Sequence, residues 1–191
     1  VWEFNYATRD YQLHHDLVPL PNGRILALMV ERKSRAQALA AGFDERMMRD
    51  NDLVPDAVVE IEPVRPKGGK IVWEWHVWDH LVQGTDPGKP NYGDPEQHPE
   101  LVSVNCNGRA TAAFWNHMNS IAYHPALDQI ALTVRGCNEV WILDHSTTTQ
   151  EAAGHRGGQH GHGGDLIYRW GNPAAYQRGT TQDKQLIQQH D

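Results

Sequence analysis

Three histidines stand at the start of strand-like segments far apart in the chain: His15, His117 and His190. Asn119 follows the second of them by two residues, and Arg135 lies sixteen residues beyond Asn119. These residue types can do group-transfer chemistry on an anion. Imidazole, with an ordinary pKa near about 6.5, is a nucleophile and a proton carrier at neutral pH. Guanidinium presents a fork of donors that fits a tetrahedral oxyanion, and asparagine and neutral histidine add further donors. His14 is adjacent to His15 and is an equal candidate, and His80 in "WDHL" is a fourth histidine of the same kind. Trp115, Trp78 or Tyr123 could line an aromatic mouth, although all three could equally be core. Taken singly, each histidine has a plainer use as a hydrogen-bonding strand residue, and Arg135 as a surface ion pair. Recurrence of histidine at one position in several units is what points to a shared site.

The segments that would carry these residues read as strands. "GRILALMVE", "AVVEIEP" and "GKIVWEWHV" in the first half, and "NSIAYHP", "DQIALTVRG", "NEVWILDH" and "DLIYRWG" in the second, are short and rich in β-branched or aromatic residues. Turn residues such as Pro21-Asn22-Gly23 and Lys67-Gly68-Gly69 separate them. The order repeats. "HHDLVPLPNGRILALMV", "AVVEIEP" and "GKIVWEW" correspond to "NHMNSIAYHPALDQIALTV", "NEVWILDH" and "GGDLIYRW". Each copy has a histidine, a strand, a tight turn and three further strands. The opening "VWEFNY" matches the fourth strand of a preceding unit, and the closing "QHD" the first strand of a following one. A recurring four-stranded unit predicts an all-β fold of the β-propeller type, here a partial propeller of roughly four blades. The chain is therefore expected to be a fragment of a longer propeller. Insertions are expected at about 33–56, where a short helix is predicted, at 84–113 and at 146–164.

Composition narrows the functional classes. A net charge of -7 disfavours nonspecific binding to nucleic acid or to an anionic membrane. No apolar run approaches the roughly 20 residues that span a bilayer. Cys106 and Cys137 could pair or remain buried thiols, and the sequence leaves both open. A metal reading has two versions: His14-His15 with His117, or His155, His160 and His162 in "GHRGGQHGHGG". No cysteine or carboxylate lies at a structural-zinc spacing, and the glycines predict a mobile surface loop. The same stretch lacks the lysine of a phosphate loop.

The segment "WNHMNSIAYHPALDQIALTVRG", with Asn119 and Arg135 sixteen residues apart, resembles the W-x-H-x-N-S-I motif and following arginine of the PAPS-independent arylsulfate sulfotransferases. "HHDLVPLPNGRILAL" resembles the H-H-[DE]…L-P-N-G segment of that family, and "STTTQEAAGHRGGQHGHGGDLIYRWGNP" followed by "QHD" resembles one of its branches. The resemblance implies a six-bladed propeller and ping-pong transfer of a sulfuryl group from an aryl sulfate to a phenol. By the same resemblance His190 is the nucleophile, His117, Asn119 and Arg135 hold the sulfuryl oxygens, and His15 is a further channel histidine. His14, Trp115 and His80 are expected to contact substrate. Neither a metal nor a cofactor is expected, and the partners are small aryl sulfates and phenols. Nucleic acid and membrane insertion are not expected, and room is left for a homo-oligomer. The family implies a periplasmic or extracellular location. If six blades are required, this polypeptide by itself would lack part of its pocket. A noncatalytic propeller that binds an anion or a protein, and a metal-dependent enzyme using the channel histidines, remain alternatives.

Overall fold

Residues 25–30 are apolar on both faces, the pattern of a strand covered on both sides. The computed structural model, which describes residues 1–106 and 115–190, places them in the middle of a four-stranded antiparallel sheet. Its strands are β1 (Tyr11–Pro19), β2 (Ile25–Glu31), β5 (Asp56–Pro63) and β6 (Gly69–His76), in the order β1-β2-β5-β6. Between β2 and β5 lie β3 (Lys33–Ser34), helix α1 (Arg35–Ala40) and β4 (Asp52–Leu53), with β3 and β4 paired. β7 (Leu81–Val82) and β8 (Val102–Ser103) form a short parallel pair. The second four-stranded sheet contains β9 (Met118–His124), β10 (Gln129–Val134), β11 (Glu139–Asp144) and, after helix α2 (Thr149–Ala152), β12 (Tyr168–Trp170). The chain is thus mostly β with little helix. Among the described residues there are two four-stranded sheets where roughly four units were expected. The last residues of the expected 84–113 insertion, 107–113, lie outside the described residues.

Alternation along the strands assigns each face. Leu26, Leu28 and Val58 of the first sheet join Ile130, Leu132 and Leu143 of the second in one core with Trp75, Trp115 and Trp141. Ala27, Met29, Ala57, Val59 and Ile61 point the other way and are covered by Trp2, Phe4 and Tyr6. The opening "VWEFNY" is therefore not a regular strand. Its aromatic residues at alternate positions stack along the outer face (Trp2–Phe4 centroids 5.9 Å, Phe4–Tyr6 5.8 Å), and its backbone makes only isolated bridges. The contacts it needs are side-chain burial, which alternation supplies without a full ladder.

Two links tie the elements together. Cys106 and Cys137 form a disulfide, the pairing the sequence left open. In the chain-entropy picture a loop of this size is worth about 3–4 kcal/mol. His145 joins the two sheets: Nδ1 lies 2.7 Å from Asp128 Oδ1 and Nε2 3.1 Å from Glu60 Oε2. Burial pulls the His145 pKa down, but its bonds to Glu60 and Asp128 outweigh burial and hold it above the usual histidine value. For Glu60, burial pushes up, while bonds to His145 and Arg24 prevail and hold the carboxyl below its usual range.

The glycine-rich segment before β12 is hydrogen-bonded to the end of β11 and the turn that follows it. His160 N–H donates to Asp144 Oδ2 (2.9 Å) and Gln159 N–H to the Ser146 hydroxyl (2.8 Å). Gly157, Gly158, Gly161 and Gly163 all have positive φ. Glycine is used there for backbone conformations that other residues resist.

Candidate active site

Both sheets break their register where the expected site residues fall. Between β1 and β2, Leu13 pairs with Met29 and Leu17 with Ala27, so His14, His15 and Asp16 face Leu28 alone. Between β9 and β10, Ser120 pairs with Thr133 and Met118 with Val134, leaving Asn119 as the extra residue. Bulges of this kind re-aim side chains and concentrate beside functional sites. His15 and His117 each have φ 49°, and Gln188, two residues before His190, has φ 48°. Left-handed backbone at a residue with a side chain costs on the order of 1–3 kcal/mol and persists where the surroundings enforce it.

The bulges bring the histidines together. Ring centroids are 4.8 Å apart for His15–His117, 5.8 Å for His15–His190 and 5.9 Å for His117–His190. His14 joins the edge of the group, its Nδ1 2.7 Å from His15 Nδ1. His15 and His190 are exposed and His117 is half-buried, so the cluster is open to solvent.

Asn119 and Arg135 meet the same segment of chain. Asn119 Nδ2 donates to the Gln189 carbonyl (3.0 Å), and its Oδ1 accepts from the Thr133 hydroxyl (2.5 Å). Arg135 Nη2 donates to Gln188 Oε1 (3.2 Å). Gln188 N–H donates to Asn138 Oδ1 (2.7 Å) and Gln189 Nε2 to the Glu139 carbonyl (2.8 Å), which lays residues 188–190 along the second sheet. Arg135 is set by its neighbour: a Cβ on Gly136 would fall 2.0 Å from the Trp115 carbonyl, so the turn closes only with glycine there. The adjacent Cys137 carries the disulfide to Cys106.

The first sheet braces this arrangement with two carboxylates that the sequence reading passed over. Asp16 Oδ2 accepts from Ile121 N–H (3.0 Å) and Asp56 Oδ1 from Met118 N–H (3.2 Å). Asp56 is buried, and its Oδ1 also lies 3.1 Å from His14 Nε2. A line Asp56–His14–His15 therefore runs from the core to the cluster. An isolated aspartate in "VPDAVV" gave no signal of this, because its partners are 42 and 62 residues away.

Two expected substrate contacts lie elsewhere. Trp115 is fully buried, and its Nε1 donates to the Val104 carbonyl (3.0 Å), so it belongs to the core. His80 is also fully buried, stacked on Trp75 with centroids 5.6 Å apart and paired with Asp165. Of the loop histidines, His160 faces Gln129, and His155 forms a group of three potential metal ligands with His80 and Asp165. A cleft of about 630 Å³ beside Trp78, Tyr92 and His155 contains none of the clustered residues.

Three imidazoles at an exposed place, with the buried Asn119 carboxamide and the Arg135 guanidinium bonded to the segment that carries His190, can bind an oxyanion and supply a nucleophile and a proton. The ligand atoms of His15, His117 and His190 also lie within 4.8 Å of one another, a spacing that a metal ion could draw together. Comparison with known proteins gives the family. The chain matches the arylsulfotransferase (ASST) family over residues 3–151, and it belongs to that family. No curated protein and no solved structure matches it.

Proposed function

We propose that this arylsulfotransferase-family chain transfers a sulfuryl group from an aryl sulfate to a phenol through a sulfated His190. Family membership supports aryl sulfate and phenol as the substrate classes. The observation that carries the histidine mechanism is the convergence of His15, His117 and His190 beside Asn119 and Arg135. In the first half-reaction a His190 ring nitrogen attacks sulfur, the sulfur–oxygen bond to the aryl group breaks, and the phenolate leaves with that electron pair. His15 or His117 gives the leaving oxygen its proton. Arg135 and Asn119 bond the equatorial oxygens as charge shifts onto them. In the second half-reaction a phenol oxygen attacks sulfur, the nitrogen–sulfur bond breaks, and the same histidine takes up the phenolic proton. The two sheets are read as neighbouring blades of a propeller with the histidines at its axis. The disulfide fits an oxidising location such as the periplasm or cell exterior.

The three-histidine spacing supports a second reading, in which the cluster holds a metal for a hydrolytic reaction. Turnover of 4-nitrophenyl sulfate with a phenol acceptor separates the two. The transferase reading expects nitrophenol release that rises with acceptor concentration and is unchanged by a chelator. Loss of activity with chelator, restored by zinc, would favour the metal reading.

A further inference from the structure

We propose that His80, His155 and Asp165 form a binding site for one divalent transition-metal ion of the zinc class, separate from the histidine cluster used for transfer. Their ligand atoms lie within 4.8 Å of one another. Asp165 Oδ1 is 2.8 Å from His80 Nδ1 and 2.8 Å from His155 Nδ1. Ligands at about 2.0–2.1 Å from a tetrahedral zinc stand about 3.3 Å apart, so small side-chain rotations admit the ion.

The hydrogen-bond pattern of His80 gives a second, independent argument. Its Nε2 lies 2.8 Å from the Ala152 carbonyl, which can only accept. The ring hydrogen therefore sits on Nε2, and a neutral ring turns the Nδ1 lone pair toward the carboxylate of Asp165. Two lone-pair groups at that distance need a cation between them, a proton or a metal ion. Donation of the far ring N–H to a backbone carbonyl is the usual way a metal-bound histidine is oriented.

The surroundings hold these groups firmly. His80 is fully buried and lies flat against Trp75, whose Nε1 donates to the Gly164 carbonyl (2.6 Å). A Cβ on Gly164 would fall 2.0 Å from the Ala152 carbonyl and 2.7 Å from His80 Nε2, so the loop backbone is pressed against the site. Asp165 is only 4% exposed. The His155 side chain is 60% exposed and lines the 630 Å³ cleft, which gives the ion an entry and leaves a coordination position for water or an anion. The ion would fasten the glycine-rich loop to the segment between β6 and β7 and would take no part in sulfuryl transfer.

The test uses the whole chain, stripped with a chelator and then titrated with Zn²⁺ by calorimetry and with Co²⁺ by visible absorption. We expect one ion at this site, with His155→Ala weakening it at least about tenfold and His190→Ala leaving it unchanged. Asp165→Asn, which keeps the side-chain volume, should do the same as His155→Ala. Without metal the exposed His155→Ala variant should melt with the parent, and zinc should raise the Tm of the parent and of His190→Ala more than that of His155→Ala. Two bound ions, one lost in each histidine variant, would also support the site. It is overturned by no binding at about 1 mM zinc, a concentration far above any useful affinity. It is equally overturned by full affinity in His155→Ala, or by loss in His190→Ala alone, which would put the ion in the transfer cluster.

Discussion

A left-handed histidine at φ 49° stands beside a register break in each sheet, His15 within β1 and His117 immediately before β9. The first sheet surrounds its histidine with support: His14 touches it, buried Asp56 stands behind His14, and Asp16 reaches across to Ile121. The second sheet surrounds its histidine with donors: Asn119 on the bulge and Arg135 at the end of β10. One strand architecture is used twice, and in the proposed reaction the first copy positions a proton carrier while the second holds the anion. A repeat fixes where a side chain is presented, and the particular residues decide what is done there.

The sharpest way to break this division is on the donor side. Arg135→Ala in the complete protein should lower turnover of an aryl sulfate by about 10³-fold, the scale of a lost transition-state donor. Near-parental turnover would end the assignment of Arg135 to the sulfuryl oxygens. Next is the tether beside that arginine. Cys137→Ser should lower stability by about 3–4 kcal/mol in denaturant titration, and reduction of the parent should lower it equally. On the support side, Asp56→Asn should lower kcat about tenfold with little change in KM, because the negative charge 3.1 Å from His14 is removed. An effect as large as that of Arg135→Ala would merge the two roles.

The smallest effect concerns the seam between the sheets. His145 has a raised pKa in the fold, so its contribution is complete below about pH 6.5 and is lost as pH rises through the raised value. Glu60 has a lowered pKa, so its contribution is present above the ordinary carboxylate range and is lost as pH falls through the lowered value. Thermal stability should therefore be greatest in mildly acidic buffer. His145→Gln should flatten the decline toward alkaline pH, and an unchanged slope would remove the seam from the account.

The strands and their repetition were legible because alternation and turn chemistry are local. His15, His117 and His190 stood out because a histidine recurs at matching places in the repeat, and Asn119 and Arg135 because their spacing resembles the family motif. What escaped depends on distant partners. His80 looked like the other histidines, yet its partners Ala152 and Asp165 are 72 and 85 residues away, and they draw it into the core. Trp115 has the same history, since burial against Val104 and Trp78 is decided by the packed sheets. "VWEFNY" alternates as a strand does, but apolar alternation serves a covering segment equally well. The bonds that tie the glycine-rich loop to Asp144 and Ser146 gave no signal either, because glycine permits a tight path as readily as a loose one.

The central claim is that a group is carried on His190. The direct measurement is the intact mass of the protein after brief exposure to 4-nitrophenyl sulfate without acceptor, followed by peptide mapping. The account predicts a gain of about 80 Da, one sulfuryl group, on His190 that disappears when a phenol is added. Nitrophenol release with no adduct on His190, or an adduct on another residue that turns over at the same rate, would contradict it.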